Sequence, residues 1–175
     1  MSDDHVMLDL ETADKLPTSA VLSIGAVVFK GPHAQTPFYQ AVALESSLSL
    51  GLTKSESTMA WWAKQAADAR AVFTDPSRMH ILDALKRLHE FISKLENPKV
   101  WGNGSDFDNA ILSVAYALAG YDGTPWRYKN NRCYRTAMAG VDIDYSNSVG
   151  VHHNALDDAI TQADRLLQHR PESIR

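Results

Sequence analysis

The spacing of apolar residues changes once along this chain of 175 residues, and the change limits the folds open to it. Up to about residue 44 the apolar segments are short and rich in β-branched residues, whereas most later ones repeat at helical intervals. His5 to Leu10 reads as a first strand and Ala20 to Phe29 as a second, joined by the polar Thr12 to Ser19 loop. Phe38 to Leu44 reads as a third. Three strands with no helical pattern between them suggest an antiparallel meander at the start of a sheet. Ser57 to Val72 and Met79 to Leu95 then read as helices. Lys99 to Gly102, after Pro98, reads as a short strand, and Phe107 to Leu118 as a helix that Gly120 ends. A last helix is expected to run to His169, with Asn154 as its cap and Pro171 beyond it. Tyr121 to Val151, with its Gly, Pro and Asn clusters, has no clear pattern. The order of elements implies an α/β fold with a mixed sheet flanked by helices.

Composition narrows the class. With 45% hydrophobic and 22% charged residues, and a mean hydropathy of −0.26, the chain reads as one globular domain over residues 1–175. The longest nearly apolar stretch, Val21 to Phe29, is half of what a membrane span requires. The start, Met-Ser-Asp-Asp-His, lacks the basic and apolar regions of a signal peptide. One cysteine, Cys133, agrees with a reducing compartment, so a cytoplasmic location is expected. A net charge of −4 argues against a protein that coats long nucleic acid, though not against an enzyme that grips a chain end.

Three motifs carry chemistry. In Leu8-Asp9-Leu10-Glu11-Thr12 the two acids stand two apart on a strand, so both carboxylates reach one face and repel unless a cation or proton lies between them. A hard divalent ion with a preference for oxygen ligands would relieve that repulsion; an exposed acidic strand end is the plainer alternative. In Trp101-Gly102-Asn103-Gly104-Ser105-Asp106-Phe107-Asp108-Asn109, Asp106 fits a helix cap, and Asp108, inside the first turn, can face the same cleft as Asp9 and Glu11. In His152-His153-Asn154-Ala155-Leu156-Asp157-Asp158, a base and an acid approach a helix start together. Taken singly, each motif also has a structural explanation.

Together, in this order, they resemble the DEDDh exonuclease superfamily, whose pattern is D-x-E, then N-x(2,3)-F/Y-D, then H-x-A-x-x-D. Here the matching residues are Asp9-Leu10-Glu11, Asn103 to Phe107-Asp108, and His153, Ala155 and Asp158. The alternative frame from His152 to Asp157 puts Asn154 where the motif has alanine, so His152 is expected to have no catalytic duty. Trp61-Trp62, the Trp-Gly-Asn-Gly turn and Cys133-Tyr134-Arg135-Thr136 are similar to a small group that includes phage DexA-like exonucleases and a mycobacterial 3′-5′ exoribonuclease.

The resemblance implies a ribonuclease-H-like fold and 3′-5′ hydrolysis of single-stranded DNA or RNA to 5′-mononucleotides. It implies two divalent cations, Mg²⁺ or Mn²⁺, held by Asp9, Glu11, Asp108 and Asp158, with His153 as general base. Thr12 matches the position that contacts the terminal nucleotide. Either Trp61 or Trp62, with Trp62 taken as the candidate, would stack on a base, and Arg135, with Arg132, would grip phosphate; packing and a solvated basic face are the alternatives. Several relatives form homodimers, so that assembly is open. A metal-dependent nucleotide phosphohydrolase and a catalytically silent nucleic-acid-binding module of the same fold are the competing readings.

Overall fold

The computed structural model describes residues 4–30, 34–144 and 146–174; the start of the chain read above for a signal peptide lies partly outside them. Its strands are β1 (His5–Thr12), β2 (Val21–Phe29), β3 (Ala34–Ala41), β4 (Lys99–Gly102) and β5 (Asn131–Cys133). The helices are α1 (Leu44–Ser49), α2 (Glu56–Trp62), α3 (Ala67–Arg70), α4 (Ile81–Ile92), α5 (Asp108–Leu118), α6 (Tyr134–Ala137) and α7 (Ala155–His169). The sheet order is β3-β2-β1-β4-β5. β1, β2 and β3 form the expected antiparallel meander, and β4 and β5 add in parallel beyond β1.

Strand periodicity divides the sheet into two apolar faces. Val6, Leu8 and Leu10 of β1, with Ile24 and Ala26 of β2, pack in one cluster with Ile81, Leu85 and Leu88 of α4 and with Ile111, Leu112 and Tyr116 of α5. Met7, Val27, Phe29 and Trp101 face the other way, onto Ala159, Ala163 and Leu166 of α7. Because side chains alternate along a strand, Asp9 and Glu11 share the face of Met7 and look toward α7. A slip of one residue in β1 would turn both carboxylates into the α4 and α5 layer.

Several boundaries differ from the sequence reading. The single helix expected over Ser57 to Val72 is broken into α2, α3 and a 3₁₀ turn at Ala71–Phe73. Most of that segment is exposed, so no continuous buried stripe supports one long helix, and short helices are marginal on propensity alone. Helix α5 begins at Asp108, with Phe107 as its N-cap, and Asp106 lies exposed outside it. The expected capping role of Asp106 is therefore corrected. The cap expected at the last helix is present: Asn154 Oδ1 accepts the amides of Leu156 at 3.1 Å and Asp157 at 3.3 Å.

Candidate active site

The carboxylates meet because two glycines remove side chains from their path. Gly25 on β2 stands opposite Asp9, and a Cβ there would lie 2.1 Å from the carbonyl carbon of Ala155. Backbone of α7 thus rests directly on the sheet beside Asp9, and Ala155 is fully buried in that contact. This packing explains the alanine of the third motif: a larger side chain at the helix start would push Asp158 away from β1. Gly102 acts similarly at the end of β4, where a Cβ would lie 3.1 Å from the Asp108 side chain.

One carboxylate oxygen from each of Asp9, Glu11 and Asp158 can be chosen so that all three lie within 4.8 Å of one another. Asp108 is outside that group but next to it. Its Oδ1 accepts the Leu10 amide at 3.0 Å and its Oδ2 the Asn103 amide at 2.7 Å, which tie the start of α5 to the end of β1. Burial pushes the Asp108 acid up to about 6, against the opposing pull of these amides and of Arg135. Glu11 is pushed up to about 8, by burial first and then by the charges of Asp158 and Asp108. Asp9 is also held well above the usual carboxylate range, by burial and by Asp108, Glu11 and Asp158; the Gln162 hydrogen bond pulls it the other way. Three crowded, partly desolvated acids without enough donors to satisfy them match the donor set of a hard divalent cation.

The cleft beside them, about 1110 Å³, is lined by Asp9, Glu11 and Asp158 with Thr12, Trp61, Arg135, His152 and His153, whereas Asp108, expected to face it, is 1% exposed and outside the lining. His153 has a left-handed backbone (φ 65°), and its amide donates to Asp158 Oδ2 at 3.0 Å. Its ring sits edge-on to Trp61, with centroids 4.9 Å apart. Burial, then the neighbouring His152, lowers its pKa, and Asp158 opposes them, so the ring stays neutral to lower pH than a free imidazole. His152, expected to be a neighbour with no catalytic duty, has Nδ1 3.4 Å from Asp158 Oδ1 and its ring centroid 3.8 Å from that of His153.

The two tryptophans divide their roles contrary to expectation. Trp62 is 2% exposed, and its indole N–H donates to the Thr12 carbonyl at 2.9 Å, so it anchors the end of β1, where the pairing with β2 shifts register between Glu11 and Thr12, and has no face free for a base. Trp61, 41% exposed, is the ring open to the cleft. The Thr12 hydroxyl is spent on the Asp14 carbonyl at 2.7 Å. Arg135 donates to the Asn103 carbonyl at 2.9 Å with its side chain exposed at the rim, while Arg132 is outside the cleft lining.

The sequence reading missed Gln162 and the contact made by Asp157. Gln162 donates to Asp9 Oδ1 at 2.7 Å. It lies one turn beyond Asp158 on the same face of α7, a spacing that points to it. Asp157 faces away from the acids and accepts the Val151 amide at 2.7 Å, holding the loop before His153. A Cβ on Gly150 would strike that carboxylate, which leaves glycine as the residue that fits there.

Comparison with known proteins gives a family. Residues 4–168 match the model of the 3′-5′ exoribonuclease Rv2179c-like domain. The chain belongs to this family. Among solved structures it is similar to Exonuclease I of E. coli in complex with a dT13 oligonucleotide, with a TM-score of 0.66 and 13% identity over 98% of this chain. It is similar also to Exonuclease I from Methylocaldum szegediense, with TM-score 0.66 and 13% identity over 97% of this chain, and to the zinc-bound E. coli ExoI–ssDNA complex, with TM-score 0.65 and 14% identity over 98%. The chain spans only 41–42% of the length of these three proteins. No curated protein matches. At such identities the likeness shows the fold, and the expected ribonuclease-H-like α/β architecture is borne out, as is the wider resemblance to DEDDh exonucleases. The finer likeness to phage DexA-like enzymes rests on the motif residues alone. No helix among the described residues is long and apolar enough to cross a membrane.

Proposed function

We propose that this family member is a metal-dependent 3′-5′ exonuclease, one domain over residues 1–175, that hydrolyses single-stranded DNA or RNA from the 3′ end and releases 5′-mononucleotides. The observation that carries the reading is the meeting of Asp9, Glu11 and Asp158 within one ion's reach, with Asp108 beside them and a neutral histidine at the rim. Asp9, Glu11 and Asp158 would hold one Mg²⁺ or Mn²⁺, and Asp108, with Asp9, a second. Bound there, the ions supply the charge that activates a water and stabilises the attacking and leaving oxygens.

The chain's own residues do the rest. His153 accepts the proton of the attacking water at a ring nitrogen, and its lowered pKa keeps that nitrogen free at neutral pH. The amide bond to Asp158 and the packing against Trp61 keep the imidazole beside the acids. Gln162 orients Asp9. Trp61 offers a face to the terminal base, a contact that tolerates any sequence. Trp62 acts through Thr12, whose backbone its indole holds against the nucleotide site. Arg135 meets a phosphate at the rim. A cytoplasmic setting agrees with the free thiol of Cys133, and a homodimer is the assembly to test by light scattering.

The experiment is a time course on 5′-labelled single-stranded DNA and RNA of equal sequence, with Mg²⁺, Mn²⁺ or EDTA, and with a 3′-phosphate on a parallel set. A descending ladder that EDTA abolishes and a 3′-phosphate slows is expected. Full activity in metal-free buffer, or the 5′-terminal nucleotide as first product, refutes the reading. Hydrolysis of nucleoside triphosphates with oligonucleotides left intact would favour a nucleotide phosphohydrolase instead.

A further inference from the structure

The ten residues Trp-Arg-Tyr-Lys-Asn-Asn-Arg-Cys-Tyr-Arg, 126–135, carry four cations and no acid in a chain of net charge −4. From Gly123 to Val141 no Asp or Glu occurs. The fold lays this segment along the edge of the sheet, because β5 pairs with β4 on one side and is the last strand on the other. Arg132 stands opposite Trp101, midway along that edge.

The two ends of the edge are different sites. Arg135 belongs to the catalytic cleft. At the Lys99 end lies a separate cavity of about 680 Å³, whose lining includes Lys99, Arg127, Lys129, His89 and Trp126 and no acidic side chain. Among the described residues, Arg127 and Lys129 have no ion-pair partner. Tyr128, between them, is 87% exposed. Edge strands commonly carry charge as a guard against pairing with other chains. That accounts for Arg132 on β5, but not for two unpaired cations and an exposed ring that precede the strand and border an acid-free cavity. Cations that follow a backbone, interleaved with an aromatic face on which a base can stack, are the composition of a single-strand binding surface.

We propose that the β5 edge is an upstream track for the substrate strand. A single strand with its 3′ end in the cleft continues past Arg132 to the Lys99 cavity, its phosphates against Arg132, Lys129 and Arg127 and one base on Tyr128. The direction of the strand rests on the exonuclease reading above; the track itself does not. β4, which runs beside it, spans roughly 10–13 Å at about 3.3 Å per residue, so the far end lies beyond the reach of a dinucleotide seated among the acids.

The test uses the full chain with Arg127→Ala/Lys129→Ala and Tyr128→Ala, all exposed positions away from the cleft. Anisotropy of 5′-fluorescein-labelled dT12 and U12 is measured in EDTA across a salt series. Loss of two phosphate contacts should lower the slope of log affinity against log salt by roughly 1.4. Tyr128→Ala should weaken binding roughly 5- to 150-fold, the weight of one stacked base. Arg127→Lys/Lys129→Arg should keep most of the slope. With Mg²⁺, the alanine variants should raise KM for 12-mers, leave kcat unchanged and leave dinucleotide hydrolysis at the wild-type rate. Unaltered 12-mer affinity in these variants, or a wild type that binds neither 12-mer, overturns the track and leaves a solvated edge or a surface for an acidic protein. An equal loss on the dinucleotide overturns it as well. A wild type that binds 12-mers through these residues yet hydrolyses nothing keeps the track and defeats the exonuclease reading, so the two fail separately.

Discussion

Replacing Glu11 by glutamine should stabilise the metal-free protein, and the size of the gain follows from its surroundings. Glu11 is 7% exposed, and its acid is pushed from 4.5 to about 8, first by burial and then by Asp158 and Asp108. A carboxyl group whose pKa is raised on folding costs nothing below its unfolded value. The cost grows as pH climbs toward the folded value and is complete above it. Between pH 4.5 and 8 it therefore rises by about 1.4 kcal/mol per pH unit, reaching roughly 3 kcal/mol at pH 7. Glutamine has nearly the same shape and carries no charge, and no hydrogen bond holds the Glu11 carboxylate among the described residues. For a chain of this size a gain of that order raises Tm by roughly 5–10 °C. Calorimetric melts of wild type and Glu11→Gln in EDTA at pH 4.5, 6 and 7.5 measure it. The two should melt together at pH 4.5 and separate as pH rises, and millimolar Mg²⁺ should close or reverse the gap by stabilising wild type more. A variant that melts no higher at pH 7.5, or a gap independent of pH, refutes the electrostatic origin.

His153→Ala should lose about 10²–10⁴-fold in kcat while calorimetry finds metal binding retained; since its pKa is lowered, the wild-type rate at saturating Mg²⁺ should hold below pH 6.5 and fall as the ring takes a proton. A loss of metal affinity equal to that of Asp158→Ala would make it a ligand instead. Asp108→Ala should lose hydrolysis, while the loss of the acceptor for the Leu10 and Asn103 amides is offset in metal-free buffer by removal of a buried charge. Exposed Asp106→Ala should stay within about 0.5 kcal/mol of wild type and keep its activity, and reversed activities would shift the metal role to Asp106. Gly25→Ala should destabilise by at least 1–3 kcal/mol and raise the metal concentration needed for activity, since its Cβ collides with the start of α7; an unchanged metal requirement would detach Asp158 from that contact.

Much of the site was legible in sequence because its parts are local. Alternation along β1 puts Asp9 and Glu11 on one face whatever the rest of the chain does. The Asn154 cap starts α7 at a definite residue, which sets where Asp158 falls in the first turn. The Met79 to Leu95 stripe announced α4, although it frayed at both ends to Ile81–Ile92. Choices between neighbours were not legible, because each depends on what lies across space. Trp61 and Trp62 are equivalent by composition, and only the Thr12 carbonyl fifty residues away decides which ring is buried. Asp106 and Asp108 both suit a helix start, and the amide of Leu10 selects Asp108. Arg127, Lys129 and Arg135 look like scattered surface charge until β5 takes its place at the sheet edge and aligns them between two cavities. Periodicity and capping are written in a few adjacent residues, whereas burial and shared sites arise from contacts between distant segments, which only the packed sheet and its helices bring about.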